Sequence, residues 1–192
     1  MNGGIVTIRG GTIDTKTAAE HGWAGIMTGG AFTMGGGTIA NNTASEHGGA
    51  VYMTGGTFTM KGGTIANNTA KSGFGGGLYV DGNNNNNAVD IRLSDNAEIS
   101  NNTATNGGGV FMKGSGTKIT LSGTAKISNN KAVEGSVGTL GTGHGGGVNV
   151  DDGTFSISDS VIITNNEAAK DGGGVYVHFG GTFENVPYTQ MT

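Results

Sequence analysis

The chain has 192 residues, including 41 glycines, one proline and no cysteine. The lack of cysteine excludes disulfide bonds, thiolate metal sites and cysteine nucleophiles. A formal net charge of -4 at pH 7, with no basic patch, argues against nucleic acid as a partner. No apolar run is long enough to span a bilayer, so we expect no membrane insertion in this segment.

A repeat runs through the sequence. Residues 3–18 read GGIVTIRGGTIDTKTA, residues 29–44 read GGAFTMGGGTIANNTA, and residues 55–70 read GGTFTMKGGTIANNTA, each 26 positions after the last. The pattern continues with looser spacing and fades after residues 182–184. Such a repeat is typical of a solenoid, and it predicts about seven stacked coils.

Each repeat holds three short apolar stretches with alternating polarity, which predict three strands per coil. The first strand supplies one apolar column: Val6, Phe32, Phe58, Ile91, Ile119, Phe155 and Phe183. The second supplies an isoleucine column: Ile13, Ile39, Ile65, Ile99, Ile127 and Ile163. The third repeats an apolar pair, as in Val51 and Met53. We therefore predict an all-β, right-handed parallel β-helix that forms a single domain over residues 1–192.

Two corners are marked by polar residues and glycines. Asparagine pairs follow the isoleucine column at a constant offset: Asn41-Asn42, Asn67-Asn68, Asn101-Asn102, Asn129-Asn130 and Asn165-Asn166. An amide both donates and accepts, so we expect stacked asparagines to bond from coil to coil. Glycine runs at Gly75, Gly107, Gly145 and Gly172 predict a second corner with positive φ.

The recurring motifs resemble a known family. I-x-x-N, as in Ile39 to Asn42, followed by GG[AG]V, as from Gly48 onward, is similar to the F-x-x-N and GGAI repeats of polymorphic outer membrane proteins. The GGTFTM and GGTI segments also resemble adhesin-like surface repeats of gut microbes. The resemblance implies a pectin-lyase-like β-helix that is secreted or displayed on a cell surface. It implies a non-enzymatic adhesin or structural stalk, with no cofactor and no catalytic residues.

Clustered carboxylates leave a polysaccharide lyase or glycosidase as the alternative, since such enzymes need paired acids or bound calcium. The candidates are Asp151, Asp152 and Asp159, Asp90 with Arg92, and a column of Asp81, Lys113, Asp151 and His178. Turn preferences and surface ion pairs, such as Asp90 with Lys118, account for the same residues.

A metal site is a weaker hypothesis. Glu20-His21 and Glu46-His47 occupy the same repeat position, and imidazoles with carboxylates suit zinc where they converge. Duplication of one repeat gives the same pattern without a metal.

Ice binding is a minor alternative, based on outward threonines such as Thr57 and Thr59. Charged residues, including Arg92 and Lys118, interrupt that row.

An aromatic row is the strongest candidate for a binding surface. The middle residues of the third strand are Ile26, Tyr52, Tyr79, Phe111, Asn149 and Tyr176, which period two places outward. Exposed rings stack on sugars or accept apolar groups, so Tyr52, Tyr79, Phe111 and Tyr176 are predicted to bind glycan or a host surface protein. Stabilisation of the sheet by stacking is the alternative role.

Two insertions and the chain ends depart from the repeat. The insertions, near residues 81–88 and 133–144, have the composition of surface loops, and we expect deletion of residues 83–87 to leave the fold intact. The pattern is present from Gly3 but absent from Glu184 to Thr192, which holds Pro187. This predicts a fragment whose N-terminal edge is covered by neighbouring coils or a partner.

Overall fold

The computed structural model describes residues 2–22, 25–82, 88–136 and 141–186. Within these ranges the regular structure is entirely β-strand, and each strand pairs in parallel with its copies in adjacent coils. The predicted all-β parallel β-helix is confirmed. Among the residues described, no helix has the length and apolar character needed to cross a membrane.

Three sheets run the length of the described molecule. The long sheet contains β1 (Asn2–Ile8), β4 (Gly25–Met34), β7 (Val51–Met60), β10 (Leu78–Asp81), β11 (Val89–Leu93), β14 (Val110–Lys113), β15 (Lys118–Leu121), β18 (Val148–Ser158) and β21 (Val175–Val186). The isoleucine sheet contains β2 (Thr12–Asp14), β5 (Thr38–Ala40), β8 (Thr64–Ala66), β12 (Glu98–Ser100), β16 (Lys126–Ser128) and β19 (Ile162–Thr164). The alanine sheet contains β3 (Thr17–Ala18), β6 (Thr43–Ala44), β9 (Thr69–Ala70), β13 (Thr103–Ala104), β17 (Lys131–Ala132) and β20 (Glu167–Ala168).

The core is made of the predicted columns. Phe58 pairs with Ile91 in the long sheet, and Ile65 pairs with Ile99 in the isoleucine sheet. All four side chains are fully buried. Because each apolar residue packs on its copies above and below, a narrow coil still encloses a continuous core.

The strands are divided differently from the prediction. In β4, β7, β18 and β21, the predicted third strand continues directly into the first strand of the next coil. The junction in β4 carries a register shift and in β7 contains Gly56 with φ 88°, so a bulge bends one long strand where a separate corner was expected.

The alanine sheet forms the third face of the β-helix, and the apolar pattern of the sequence does not predict it. Its strands are two residues long, too short to show alternating polarity, and the four interior ones each bury one alanine, such as Ala44 or Ala104.

Val177 and Phe183 in the last described coil are exposed, whereas Val150 and Phe155, their partners one coil earlier, are fully buried. The exposed large hydrophobic residues are Ile5, Ile26, Ile162, Val177, Phe183 and Val186. β21 pairs with β18 as far as Val186, so the repeat pattern extends past Glu184, where the sequence predicted that it stops. Residues 83–87, 137–140 and 187–192 lie outside the described residues, and the predictions made for them are untested.

Candidate functional site

One corner is polar, and it is fully buried except in the last coil. We call the stacked side chains of Asn42, Asn68, Asn102, Asn130 and Asn166 the asparagine corner. Asn68 Nδ2 donates to Asn102 Oδ1 at 2.9 Å, and Asn102 Nδ2 donates to Asn130 Oδ1 at 3.0 Å. Each of these amides also donates to an isoleucine carbonyl, as Asn102 does to Ile65 at 3.0 Å. The bonds satisfy backbone groups that the turn would otherwise leave unpaired in the interior.

The first asparagine of each pair has a different role. Asn41, Asn67, Asn101, Asn129 and Asn165 have φ between 54° and 57°. Asparagine tolerates this left-handed conformation better than most residues, so it forms the turn that carries its neighbour inward. Thr15 takes the same conformation in the first coil, with φ 53°.

The opposite corner is set by glycine, as the sequence predicted. The leading glycines of the runs, including Gly48, Gly75 and Gly107, have φ between 58° and 68°. A Cβ on Gly75 would clash with the Leu78 carbonyl oxygen, so only glycine fits. This tight turn places the residue before each glycine beside the strand of the next coil.

Rings from that turn stack on the rings of the predicted aromatic row. His21 lies 4.4 Å from Tyr52, His47 lies 4.6 Å from Tyr79, and Phe74 lies 4.7 Å from Phe111, all between ring centroids. His144 lies 4.6 Å from Tyr176 in the same way. We call the two parallel columns the aromatic corner; its strand row is Tyr52, Tyr79, Phe111 and Tyr176, and its turn row is His21, His47, Phe74 and His144.

The turn row covers part of the strand row. Tyr79 is 3% exposed and Phe111 is 4% exposed, so the prediction that these side chains face solvent is wrong. They do point away from the core, but the rings of His47 and Phe74 lie over them. Tyr52 and Tyr176 are half-buried and keep accessible ring surface. Whether any of the four binds a ligand stays a prediction.

The sequence does carry a signal for the turn row. A histidine or aromatic residue precedes the glycine run in four repeats, five positions before the middle residue of the strand.

Polar groups border the middle of the aromatic corner. Tyr79 Oη lies 3.4 Å from Asp81 Oδ2, and Lys113 Nζ lies 3.0 Å from the same oxygen. Burial, reinforced by the Asp81 carboxylate, holds the pKa of the Tyr79 phenol well above its usual range. This hydroxyl therefore stays protonated in the folded protein at any physiological pH.

His47 is held as a neutral imidazole. Its Nδ1 accepts a hydrogen bond from the backbone N–H of Phe74 at 3.0 Å. Burial lowers the pKa of His47, and the neighbouring His21 lowers it further. With Nδ1 accepting, the proton of the neutral ring sits on Nε2.

The predicted metal ligands are adjacent but do not form a chelating cluster. The rings of His21 and His47 stack at 5.4 Å with an interplanar angle of 13°, and Glu46 Oε2 lies 3.6 Å from His21 Nδ1. Glu20 contacts these residues with its backbone: its carbonyl oxygen accepts a hydrogen bond from the Glu46 N–H. In the described part of the chain, no three His, Asp or Glu side chains are placed to share an ion.

The predicted acid cluster is divided among separate partners. Asp151 Oδ1 lies 3.2 Å from His178 Nδ1, while Asp152 accepts from the N–H of Gly153 at 2.7 Å. Asp159 has φ 59° and accepts from the N–H of Gly123 at 2.9 Å. Backbone hydrogen bonds in turns thus explain the positions of Asp152 and Asp159.

Asp90 also lies in a simple surface contact. It pairs in register with Lys118, as predicted, but its ion pair forms with Arg92 on its own strand.

The aromatic corner is interrupted in one place. Asn149 takes the strand-row position between Phe111 and Tyr176, and Asn106 takes the corresponding turn-row position. The ring stacking is lost there, and a cleft of about 240 Å³ opens, lined by Phe74, Phe111, His144, Asp151, Tyr176 and His178.

Stacked parallel sheets and this repeating corner define a parallel β-helix repeat protein. A family model described as the Chlamydia polymorphic membrane protein (Chlamydia_PMP) repeat matches residues 35–54 and 160–178. The first match spans the I-x-x-N and GGAV motifs that follow Gly37, and the second spans their copies from Ile163 to Val175, so the predicted resemblance is confirmed. Comparisons with curated proteins and with solved structures found no match.

Proposed function

We propose that the chain is part of a non-enzymatic, adhesin-like β-helix that is displayed on a cell surface and binds glycan through the aromatic corner. The observation that carries the proposal is the concentration of rings there. All four histidines of the chain and three of its four tyrosines lie at this one corner, although aromatic residues make up only 6% of the sequence. Tyr52 and Tyr176, which keep accessible ring surface on a rigid scaffold, suit the apolar faces of sugars.

The similarity to a membrane protein repeat supports the surface location. The matched segments are repeats, which form the shaft of the molecule, so the role of a structural stalk is compatible with adhesion.

The pairing of the carboxylates supports a non-enzymatic role. A glycosidase needs two carboxyl groups facing one substrate bond. Here Asp152 and Asp159 accept backbone hydrogen bonds in turns, and Asp151 pairs with His178.

Ice binding has weaker support than adhesion. Arg92, whose side chain is two-thirds exposed, occupies the outward row in register with Thr59, so the threonine array is not regular.

Binding of the purified chain to a glycan array and to cultured epithelial cells tests the proposal. We expect a reproducible glycan signal that falls at least about tenfold when Tyr52 and Tyr176 are replaced together by serine. Arg92→Ala, on a different face, is the matched control and should keep the signal. Absence of any glycan or cell binding by the wild-type chain would overturn the proposal, and release of reducing sugar from a polysaccharide would favour the enzyme.

A further inference from the structure

We call the cleft at the interruption of the aromatic corner the slot. In the long sheet, Phe111 pairs with Asn149 and Asn149 pairs with Tyr176, so the two rings are two strand spacings apart, about 9.6 Å. A third ring would occupy the middle position in a regular row, as Tyr79 does between Tyr52 and Phe111. Asparagine is shorter, and a cleft of about 240 Å³ lies beside it, with the His144 ring stacked on Tyr176 along one wall.

Hydrogen bonds of Asn106, the asparagine in the turn-row position, hold the slot open. Asn106 Nδ2 donates to the Gly141 carbonyl at 2.6 Å, and its Oδ1 accepts from the His144 N–H at 2.9 Å. Both ends of this amide are therefore engaged, and the side chain cannot swing into the cleft without losing them. Asn149 is restrained only by a long contact, 3.4 Å, from Nδ2 to the His144 carbonyl.

Polar groups stand at the rim of the slot. The Asp151 and His178 side chains are each about two-fifths exposed and lie 3.2 Å apart. They offer donors and acceptors at the edge of a space whose walls are aromatic. Aromatic walls with a few convergent polar groups are the usual composition of a small-molecule site.

We propose that this cleft binds one neutral hexopyranose unit of a glycan, with the sugar ring seated against the half-buried Tyr176 and the polar rim. This inference rests on the proposed glycan-binding function and adds the site and the sugar class. A C–H face of the sugar packs on the accessible part of Tyr176, and its hydroxyls bond with Asp151 and His178. A cleft of about 240 Å³ lies below the range of about 300–1,000 Å³ typical of drug-sized ligands, which fits a single ring.

The charges at the rim select against acidic sugars. Asp151 is at the rim, and Asp171 Oδ2 lies 3.2 Å from His144 Nδ1 on one wall. A sugar carboxylate would meet the Asp151 carboxylate at the rim, whereas neutral hydroxyls can donate to it.

Filling the slot from within tests the proposal. Asn149→Tyr gives this coil the residue that Tyr79 and Tyr176 provide in others, and we expect it to keep or raise the melting temperature while weakening hexose binding at least about tenfold. The probes are the methyl glycosides of glucose, galactose and mannose, titrated by ligand-observed NMR, because a single sugar is expected to bind with a Kd of about 1 mM.

Two further variants keep the test decisive. His178→Ala removes a partly exposed rim side chain that also stacks on Tyr176 at 5.8 Å, and it should weaken binding several-fold with no loss of folding, so it decides the question if Asn149→Tyr fails to fold. Arg92→Ala should bind as the wild type does.

The outcomes separate this inference from the proposed function. If the wild type binds a methyl hexoside and both cleft variants bind equally well, the cleft is not the site, while glycan binding by the aromatic corner stands. If the wild type binds only acidic sugars or aromatic compounds, the assignment of a neutral hexose is wrong. If it binds no glycan on the array, both proposals are wrong.

Discussion

At the asparagine corner, each coil from Asn42 to Asn130 presents the same amide in the same set of hydrogen bonds. At the aromatic corner, equivalent positions hold tyrosine, phenylalanine, histidine or asparagine. The difference follows from the groups each corner must satisfy. A buried amide that lost its neighbour would leave donors and acceptors unpaired, whereas a stacked ring that loses its neighbour loses only packing. Variation, and with it a ligand site, is therefore better tolerated at the aromatic corner.

Removing one amide from the asparagine corner should have the largest effect on stability. In Asn102→Leu, the Asn68 backbone N–H and Nδ2 both lose their acceptor, and the Ile65 carbonyl loses its donor. Because all of these groups are buried, we expect a loss of about 4 kcal/mol in the free energy of unfolding, measured by urea titration.

The adjacent asparagine is the matched control for this change. Asn101 is exposed and has φ 56°, a conformation that glycine adopts readily, so Asn101→Gly should change stability by less than about 0.5 kcal/mol. Equal losses in the two variants would show that the turn, and not the amide stacking, carries the stability.

Breaking the aromatic corner at its centre should cost less. Tyr79 is buried between Tyr52 and Phe111 and under His47, so Tyr79→Ser should cost about 3 kcal/mol by leaving a cavity. Tyr79→Phe keeps the stacking and loses only the contact with Asp81, so it should cost at most about 1 kcal/mol. A similar cost for both variants would assign the stability to the hydroxyl group.

The smallest expected effect is a dependence on pH that comes from His47. Its pKa is lowered in the folded protein, so below the usual histidine pKa of about 6.5 the unfolded chain binds a proton that the folded chain resists. The stability this residue contributes is therefore complete above that pH and decreases as the pH falls through it. The melting temperature measured at pH 7.5 and at pH 5 should show the loss.

His47→Asn isolates this contribution. Asn106 uses its Oδ1 to accept the same kind of backbone hydrogen bond that His47 accepts with Nδ1, so the substitution keeps an acceptor and removes the titrating group. The variant should lose less stability than the wild type between pH 7.5 and pH 5. An identical pH profile would assign the dependence to the surrounding carboxylates and to His21.

Much of the fold could be predicted from the sequence, because the repeat fixes which residues face each other. Once the spacing is known, the pairing of Phe58 with Ile91 and of Ile65 with Ile99 follows. The alanine sheet could not be predicted from the repeat, since a two-residue strand has too few side chains to show a period. The sequence also could not predict that two expected strands form the single strand β7, because a glycine such as Gly56 permits a bulge as readily as a corner.

The candidate site was predicted only in part. Alternation along a strand tells which side chains leave the core, and Tyr52 and Phe111 do so. It does not tell what lies over them, because the covering rings of His21 and Phe74 come from the turn of the preceding coil. The cleft at Asn149 depends on this second column, so it is apparent only when both columns are seen together.

The parallel pairing of the coils also has a mechanical consequence. The hydrogen bonds between strands run along the axis of the coil stack, so a pulling force along that axis loads them in series. The weakest interface between neighbouring coils then breaks first, and the other interfaces stay intact. Each coil of 26 residues that comes loose releases roughly 90 Å of chain, so the stack can lengthen in steps and absorb a sudden pull.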